Sequence, residues 1–352
     1  MEEKKLNQEK KFFLAANSYN GFISYFDQVF KSEDFDRIYI LKGGPGTGKS
    51  SFMRKISEIL LDEECQVEEI YCSSDPHSLD GIIAEKNDRR IAIIDGTAPH
   101  ERDAVIPGAI DEIINLADSW DNRWLTNNRD KILSLANEKS KAYKTAYSYL
   151  KIAGVSSSFI TTTYQYYFNK NKAKFKAEEI LSDVSGCNNH VITTRLVNSF
   201  GRYGEYNLDT LTKISKKVIS VGGDEISSMI FMDYCAEILR QREATFMNFP
   251  LALDSCHTDS LFIPMSDIAI IRSRDGEINA DEFFALCQLN NEKIKKAMEI
   301  KNEALMEAKR WFAIASELHF NLENIYGKAM DFSKNDQKIS NTLTEINNIL
   351  EI

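Results

Sequence analysis

Residues 43–50 read GGPGTGKS, a GxxxxGK[ST] spacing whose residue types suit one task, the holding of a polyphosphate together with a divalent cation. Gly43, Gly44, Gly46 and Gly48 free the backbone to curl its N–H groups round phosphate oxygens, with Pro45 and Thr47 between them and Ser51 following. Lys49 would neutralise the outer phosphates and the Ser50 hydroxyl would ligate Mg2+. Such a site needs an acidic partner for the metal, and Asp95 in RRIAIIDGTAPH is the candidate. Gly96 follows it where many hydrolytic sites carry a water-orienting glutamate, so that role passes to Asp75, Asp80, His100 or Glu101, all of them polar residues of segments read as loops.

Two elements must position these groups. Ile38, Tyr39, Ile40 and Leu41 read as a buried strand leading into the glycine loop, and Phe52, Ile56, Ile59 and Leu60 follow it at helical spacing. Residues 91–94 form a continuous apolar run, as a strand covered on both faces does, and put Asp95 at its carboxyl end, where open α/β sheets bind ligands. Residues 67–72 read as a further strand, running into the loop that carries Asp75, His77 and Asp80.

The 352-residue chain is 43% hydrophobic and 27% charged, ordinary for a soluble protein long enough for two domains. A net charge of −10 argues against wholesale binding to nucleic acid or anionic membranes. Six scattered cysteines with no CxxC pair fit reduced thiols and a cytoplasmic protein, and no stretch approaches the length of a transmembrane segment or signal-peptide core. Cys187 with His190 makes a CxxH, but no second matching pair completes a zinc site.

The segments KGGPGTGKSSFM, CSSDPHSLDG, DGTAPH and PGAIDEIINLADSWD together resemble a family of bacterial P-loop ATPases built from two tandem NTPase-like halves. The resemblance is dense over residues 12–122 and thin beyond. It implies a phosphate site at residues 43–50, a Walker B aspartate at Asp95, and family-typical positions at Asp75, Asp80 and His100.

An internal repeat accompanies it. At one constant, domain-sized offset Gly43 matches Gly222, Gly44 matches Gly223, Phe52 matches Phe231, Met53 matches Met232 and Leu60 matches Leu239, while IAII recurs at 268–271 and NSY of 17–19 meets NSF of 198–200. In the second copy Asp224 and Glu225 replace Pro45 and Gly46, Ser228 replaces Lys49, Met229 replaces Ser50, and Arg272 stands at the Walker B position. Downstream, Ile132, Ala136, Lys139, Tyr143 and Ala146 share a 4-3 spacing with Ile294, Met298, Lys301, Leu305 and Ala308, each stripe interrupted by one lysine.

The expectation is therefore an α/β P-loop NTPase fold, duplicated, each half with a mainly parallel sheet and an α-helical hairpin. The active half spans 1–190 with a hairpin near 126–182 turning at 153–158, and the degenerate half spans 191–352 with a hairpin near 281–350. The first binds Mg2+ and ATP or another NTP and hydrolyses it slowly. A small-molecule kinase and a nucleotide-gated scaffold are the alternatives. Residues 139–176 hold eight lysines and no acidic residue; with a tip at 153–158 these form a basic band for an anionic partner, whether protein, nucleic acid or membrane surface. Arg102, Arg240, Arg242 and Arg274 are unranked candidates for an arginine finger.

Overall fold

The computed structural model describes residues 9–285 and 292–352, so Cys287 and part of the expected 281–350 hairpin lie outside the described residues. The chain is α/β, with strands β1 (Glu9–Phe13), β2 (Ala15–Ser18), β3 (Gly21–Ser24), β4 (Arg37–Lys42), β5 (Gln66–Tyr71), β6 (Leu79–Lys86), β7 (Arg89–Asp95) and β8 (Asp111–Asn115) before the middle of the chain. After it come β9 (Ile192–Thr194), β10 (Asn198–Gly201), β11 (Gly204–Asn207), β12 (Lys217–Gly222), β13 (Phe246–Pro250), β14 (Thr258–Ile263), β15 (Ile268–Arg272) and β16 (Ile278–Asn279). The longer helices are α1 (Lys49–Asp62), α2 (Arg129–Gln165), α3 (Lys170–Ile180), α4 (Glu225–Gln241), α5 (Glu292–Gly327) and α6 (Phe332–Leu350).

One mixed sheet has the order β1-β5-β6-β7-β4-β8 and the other β9-β13-β14-β15-β12-β16. Each contains a single strand, β6 or β14, that runs antiparallel to both neighbours, the other pairings being parallel. Strands β4 and β7 read as unbroken apolar runs because both faces are covered, and Ile38, Tyr39, Ile40, Ile91, Ile93 and Ile94 are fully buried.

The helices differ from the expected hairpins. Residues 153–158 lie inside α2, which is continuous for 37 residues, about 55 Å of helix. Gly154 answers a close approach rather than a turn: a Cβ there would lie 2.6 Å from the Cβ of Tyr19. The partner of α2 is α5, and they run antiparallel, since Lys139 meets His319 while Tyr143 and Tyr147 pack on Phe312. The 4-3 stripes are this seam, where buried Ala146, Ala153, Ala304 and Ala308 let the helices approach closely.

Each chain segment after the long helices then crosses to the opposite sheet. Ala173, Ala177 and Leu181, on and just after α3, pack with α4 and the second sheet, while Ile339, Ile346 and Leu350 of α6 pack with α1 and the first. Matching anchors start the two helices: Asn169 N donates to the Phe283 carbonyl at 2.7 Å, and Asp331 N donates to the Ser119 carbonyl at 2.9 Å. The side chains of Asn169 and Asp331 then cap α3 and α6.

The lysines of 139–176 do not form one band. Lys139 lies in the α2/α5 seam, whereas Lys170 starts α3, beyond the end of α2 and about 40 Å further along the chain's helical path. Lys174 and Lys176 pair instead with Glu178 and Glu179 on their own helix. Among the described residues no helix is long and apolar enough to cross a membrane.

Candidate functional site

The glycine loop joins β4 to α1, and its shape follows from its residues. Gly46 (φ +69°) and Gly48 (φ +84°) adopt the left-handed conformation that glycine alone enters freely, the second capping α1. Thr47 is buried; its hydroxyl donates to the Gly44 carbonyl at 2.9 Å and its carbonyl accepts from Asn335 Nδ2 at 2.8 Å. Lys49 folds back over the loop, Nζ donating to the carbonyls of Gly43 (2.8 Å) and Gly44 (3.0 Å) and lying 3.6 Å from Asp95 Oδ2. Ser50 Oγ accepts from Leu79 N at 2.9 Å, which ties the start of β6 to the first turn of α1. Ser51 faces solvent.

Asp95 arrives beside the loop because β7 pairs in parallel with β4, setting Asp95 opposite Leu41. Its Oδ1 accepts from Thr97 N (2.8 Å) and Thr97 Oγ1 (2.6 Å), which turns Oδ2 toward Lys49. Burial raises its pKa, with Asp80 adding to the rise and Lys49 opposing it.

Of the other residues expected at the site, Asp80 and His100 come together but are enclosed. Asp80 lies on β6 rather than in a loop, its Oδ2 3.2 Å from His100 Nε2, and the imidazole stacks on Phe26 at 4.2 Å. Both are buried, and Asp80 acts on Asp95 as a like charge. Glu101 is exposed. Asp75 faces the second half of the chain, its Oδ2 3.2 Å from Arg202.

That contact leads to residues no motif marked. Arg202, in the turn between β10 and β11, also donates to Ser316 Oγ at 2.8 Å and stacks on Tyr203. Helix α5 passes directly over the loop: a Cβ at Gly46 would lie 2.5 Å from the Glu323 carbonyl oxygen, and one at Gly44 would meet Trp120 at 3.2 Å and Tyr326 at 3.7 Å. His319 Nδ1 is 3.4 Å from Lys139 Nζ, and its Nε2 is 3.6 Å from Glu323 Oε1. An ammonium only donates, so Nδ1 accepts and the proton of neutral His319 sits on Nε2, facing Glu323. Burial and the charges of Lys139 and Lys49 push His319 down to about 4. Burial and Asp75 push Glu323 up, against Lys49, Lys139 and Arg202. The electrostatic neighbourhood of Lys49 thus includes His319 and Glu323 from α5, with Lys139 and Arg202 acting on the same carboxylate.

Of the four arginines singled out from sequence, three are engaged elsewhere and the fourth lies in the second half. Arg102 donates to the Phe30 carbonyl and faces Asp111, Arg240 faces Glu237, Arg242 holds the carbonyls of Leu181 and Val184, and Arg274 lines a cavity of the second half. The signal that pointed to the true neighbours was the lysine interrupting each apolar stripe, because a charge within a buried seam needs a reason.

A cation and nucleotide fit the residues present. The loop supplies backbone N–H groups and one lysine, while Ser50 and Asp95 supply one hydroxyl and one carboxylate. Among the described residues no three His, Cys, Asp or Glu side chains gather into a metal-binding group. A phosphate-bound Mg2+ needs no such group, since phosphates and waters complete its shell.

The second loop has the opposite character. Asp224 caps α4 by accepting from Ile226 N at 2.9 Å, and Glu225 receives Lys301 Nζ at 2.9 Å on both oxygens. Arg272 ends β15 where Asp95 ends β7 and lies 3.4 Å from Asp259, while Ser228 stands where the first loop has Lys49. No family model, no curated protein and no solved structure matches this chain.

Proposed function

We propose that the chain is a duplicated P-loop NTPase, in which the half over about 1–190 binds Mg-ATP or another nucleoside triphosphate and hydrolyses it slowly. The half over 191–352 is a degenerate copy whose rearrangement, with the long helices, follows the nucleotide state. The observation that carries the reading is Lys49 at the mouth of α1, folded over the carbonyls of Gly43 and Gly44 and facing Asp95 from the neighbouring strand. The matching strand orders of the two sheets support the duplication.

In this reading the loop N–H groups and Lys49 hold the phosphates, and Ser50 and Asp95 hold Mg2+, which would neutralise phosphate charge. Glu323 replaces the glutamate missing after Asp95. Its raised pKa suits a group that takes a proton from water, and His319 Nε2 lies 3.6 Å from its carboxylate. Arg202, poised on Asp75, faces the charge that develops on the transferred phosphate. Because Glu323 and Arg202 come from the second half, nucleotide state and the relation of the halves are coupled.

Calorimetric titration with Mg-ATP, alongside phosphate release without an acceptor, tests the reading. One site per chain is expected, largely lost in Lys49→Ala and unchanged in Ser228→Ala. Two equivalent sites, or equal losses in both variants, would refute the assignment of one live and one degenerate loop.

A further inference from the structure

The degenerate loop borders a cavity of about 490 Å³. Its lining leaves donors and an acceptor unmatched. Asn198, only 8% exposed, uses Oδ1 to accept from Ala252 N at 2.7 Å, while its Nδ2 meets no partner among the described residues. In the first half the matching Asn17 is fully used, Nδ2 donating to the Phe200 carbonyl and Oδ1 accepting from Tyr147. The residue at the corresponding turn of α5 is Lys309, which lies against Gly204 instead.

Arg272 adds two more donors, Nε and Nη1, both buried and without a hydrogen-bond partner among the described residues; Asp259 lies 3.4 Å from Nε but out of line for a bond. Also in the lining, the Glu205 carboxylate has no hydrogen bond or ion pair among the described residues, whereas Glu225 is taken by Lys301. Glu205 stands exposed on the cavity wall, where desolvation and Glu225 raise its pKa against the opposing charges of Arg272 and Lys301.

Amide and guanidinium donors seek an anionic acceptor, and an unpaired carboxylate seeks a cationic donor. We propose that this cavity binds a small zwitterion, its carboxylate on Arg272 and Asn198 and its ammonium on Glu205. The carboxylates of Glu205, Asp209, Glu225 and Asp259 in the lining outnumber the guanidiniums of Arg272 and Arg274, which disfavours a nucleoside triphosphate. This inference stands independently of hydrolysis in the first half.

The test is calorimetric titration of the full chain with L-lysine, with putrescine and glutarate as probes that carry only the ammonium groups or only the carboxylates. L-lysine should bind at least about tenfold more tightly than either, because only it satisfies both sides. Glu205→Gln should weaken L-lysine about tenfold. Asn198→Asp, which retains the acceptor for Ala252 N, should weaken it as much by opposing the ligand carboxylate. Should Asn198→Asp fail to fold, Glu205→Gln on the open cavity wall carries the test. No binding of L-lysine, equal affinity in wild type and Glu205→Gln, or displacement of L-lysine by ATP in a Lys49→Ala background would overturn the proposal.

Discussion

Arg202→Ala separates a catalytic arginine from a structural one. The ion pair with Asp75 joins side chains that are 28% and 38% exposed, so it contributes at most ~1 kcal/mol to folding. The hydrogen bond to Ser316 contributes about 1 kcal/mol more. The variant should therefore melt within a few degrees of wild type. Loss of a cation aimed at developing phosphate charge costs far more, about 3–4 kcal/mol, or on the order of a hundred- to a thousandfold in kcat. Phosphate release at saturating Mg-ATP should fall by that factor while nucleotide affinity changes little. Arg202→Lys should recover part of the rate, since it keeps the charge and loses the planar fork. Arg240→Ala, which removes an arginine whose partner is Glu237 on its own helix, should be silent. If turnover is unchanged in Arg202→Ala, or if affinity falls as far as turnover, the arginine does not act in the transition state.

Three further outcomes follow from the same geometry. Asp95→Asn should reduce Mg2+-dependent turnover much more than metal-free nucleotide binding, and unchanged turnover would remove Asp95 from the metal site. His319 titrates near 6.5 when unfolded and at about 4 in the fold, so the unfolded chain binds the extra proton between those values. Stability is lost as pH falls through that window, and His319→Gln should flatten this part of a melting-temperature profile; an identical profile would contradict the assignment. Phe312→Ala, which empties the centre of the α2/α5 seam, should cost about 3–5 kcal/mol in denaturant unfolding, with a loss below ~1 kcal/mol meaning that the seam does not hold the halves together.

The glycine loop, its flanking strand and helix, and the strand-end position of Asp95 were legible because each is a local pattern: apolar runs, glycine spacing and a strand-end acid within sixty residues. Strand β6 was not. Its Asp80-Gly81 pair reads as a turn, yet Gly81 is there because a Cβ would lie 3.3 Å from the Phe30 ring. Gly154 misled in the same way, since a glycine that admits Tyr19 against a helix looks identical in sequence to one that ends it. Arg202, His319 and Glu323 lie more than a hundred residues from the loop in a segment without a motif. The antiparallel pairing of α2 with α5 brings His319 and Glu323 back, the β10–β11 turn sets Arg202 on Asp75, and a 4-3 stripe states that a helix has a partner without saying which.

The second loop shows why a helix start beside a Gly-Gly turn does not by itself imply an anion ligand. The free N–H groups and positive end of α4 are already met by the chain's own anions, Asp224 as cap and Glu225 in the first turn. Lys301, at the position on α5 that Lys139 holds on α2, closes on Glu225, whereas Lys139 closes on neutral His319. An internal ion pair thus occupies in one half the place where the other presents positive charge to the glycine loop. Once those carboxylates are present the loop repels phosphate, and Asn198 and Arg272 are left facing a cavity with donors of their own. In the proposed reading the asymmetry between the halves is a change of ligand chemistry rather than only its loss, carried by a handful of charge exchanges on an otherwise matching frame.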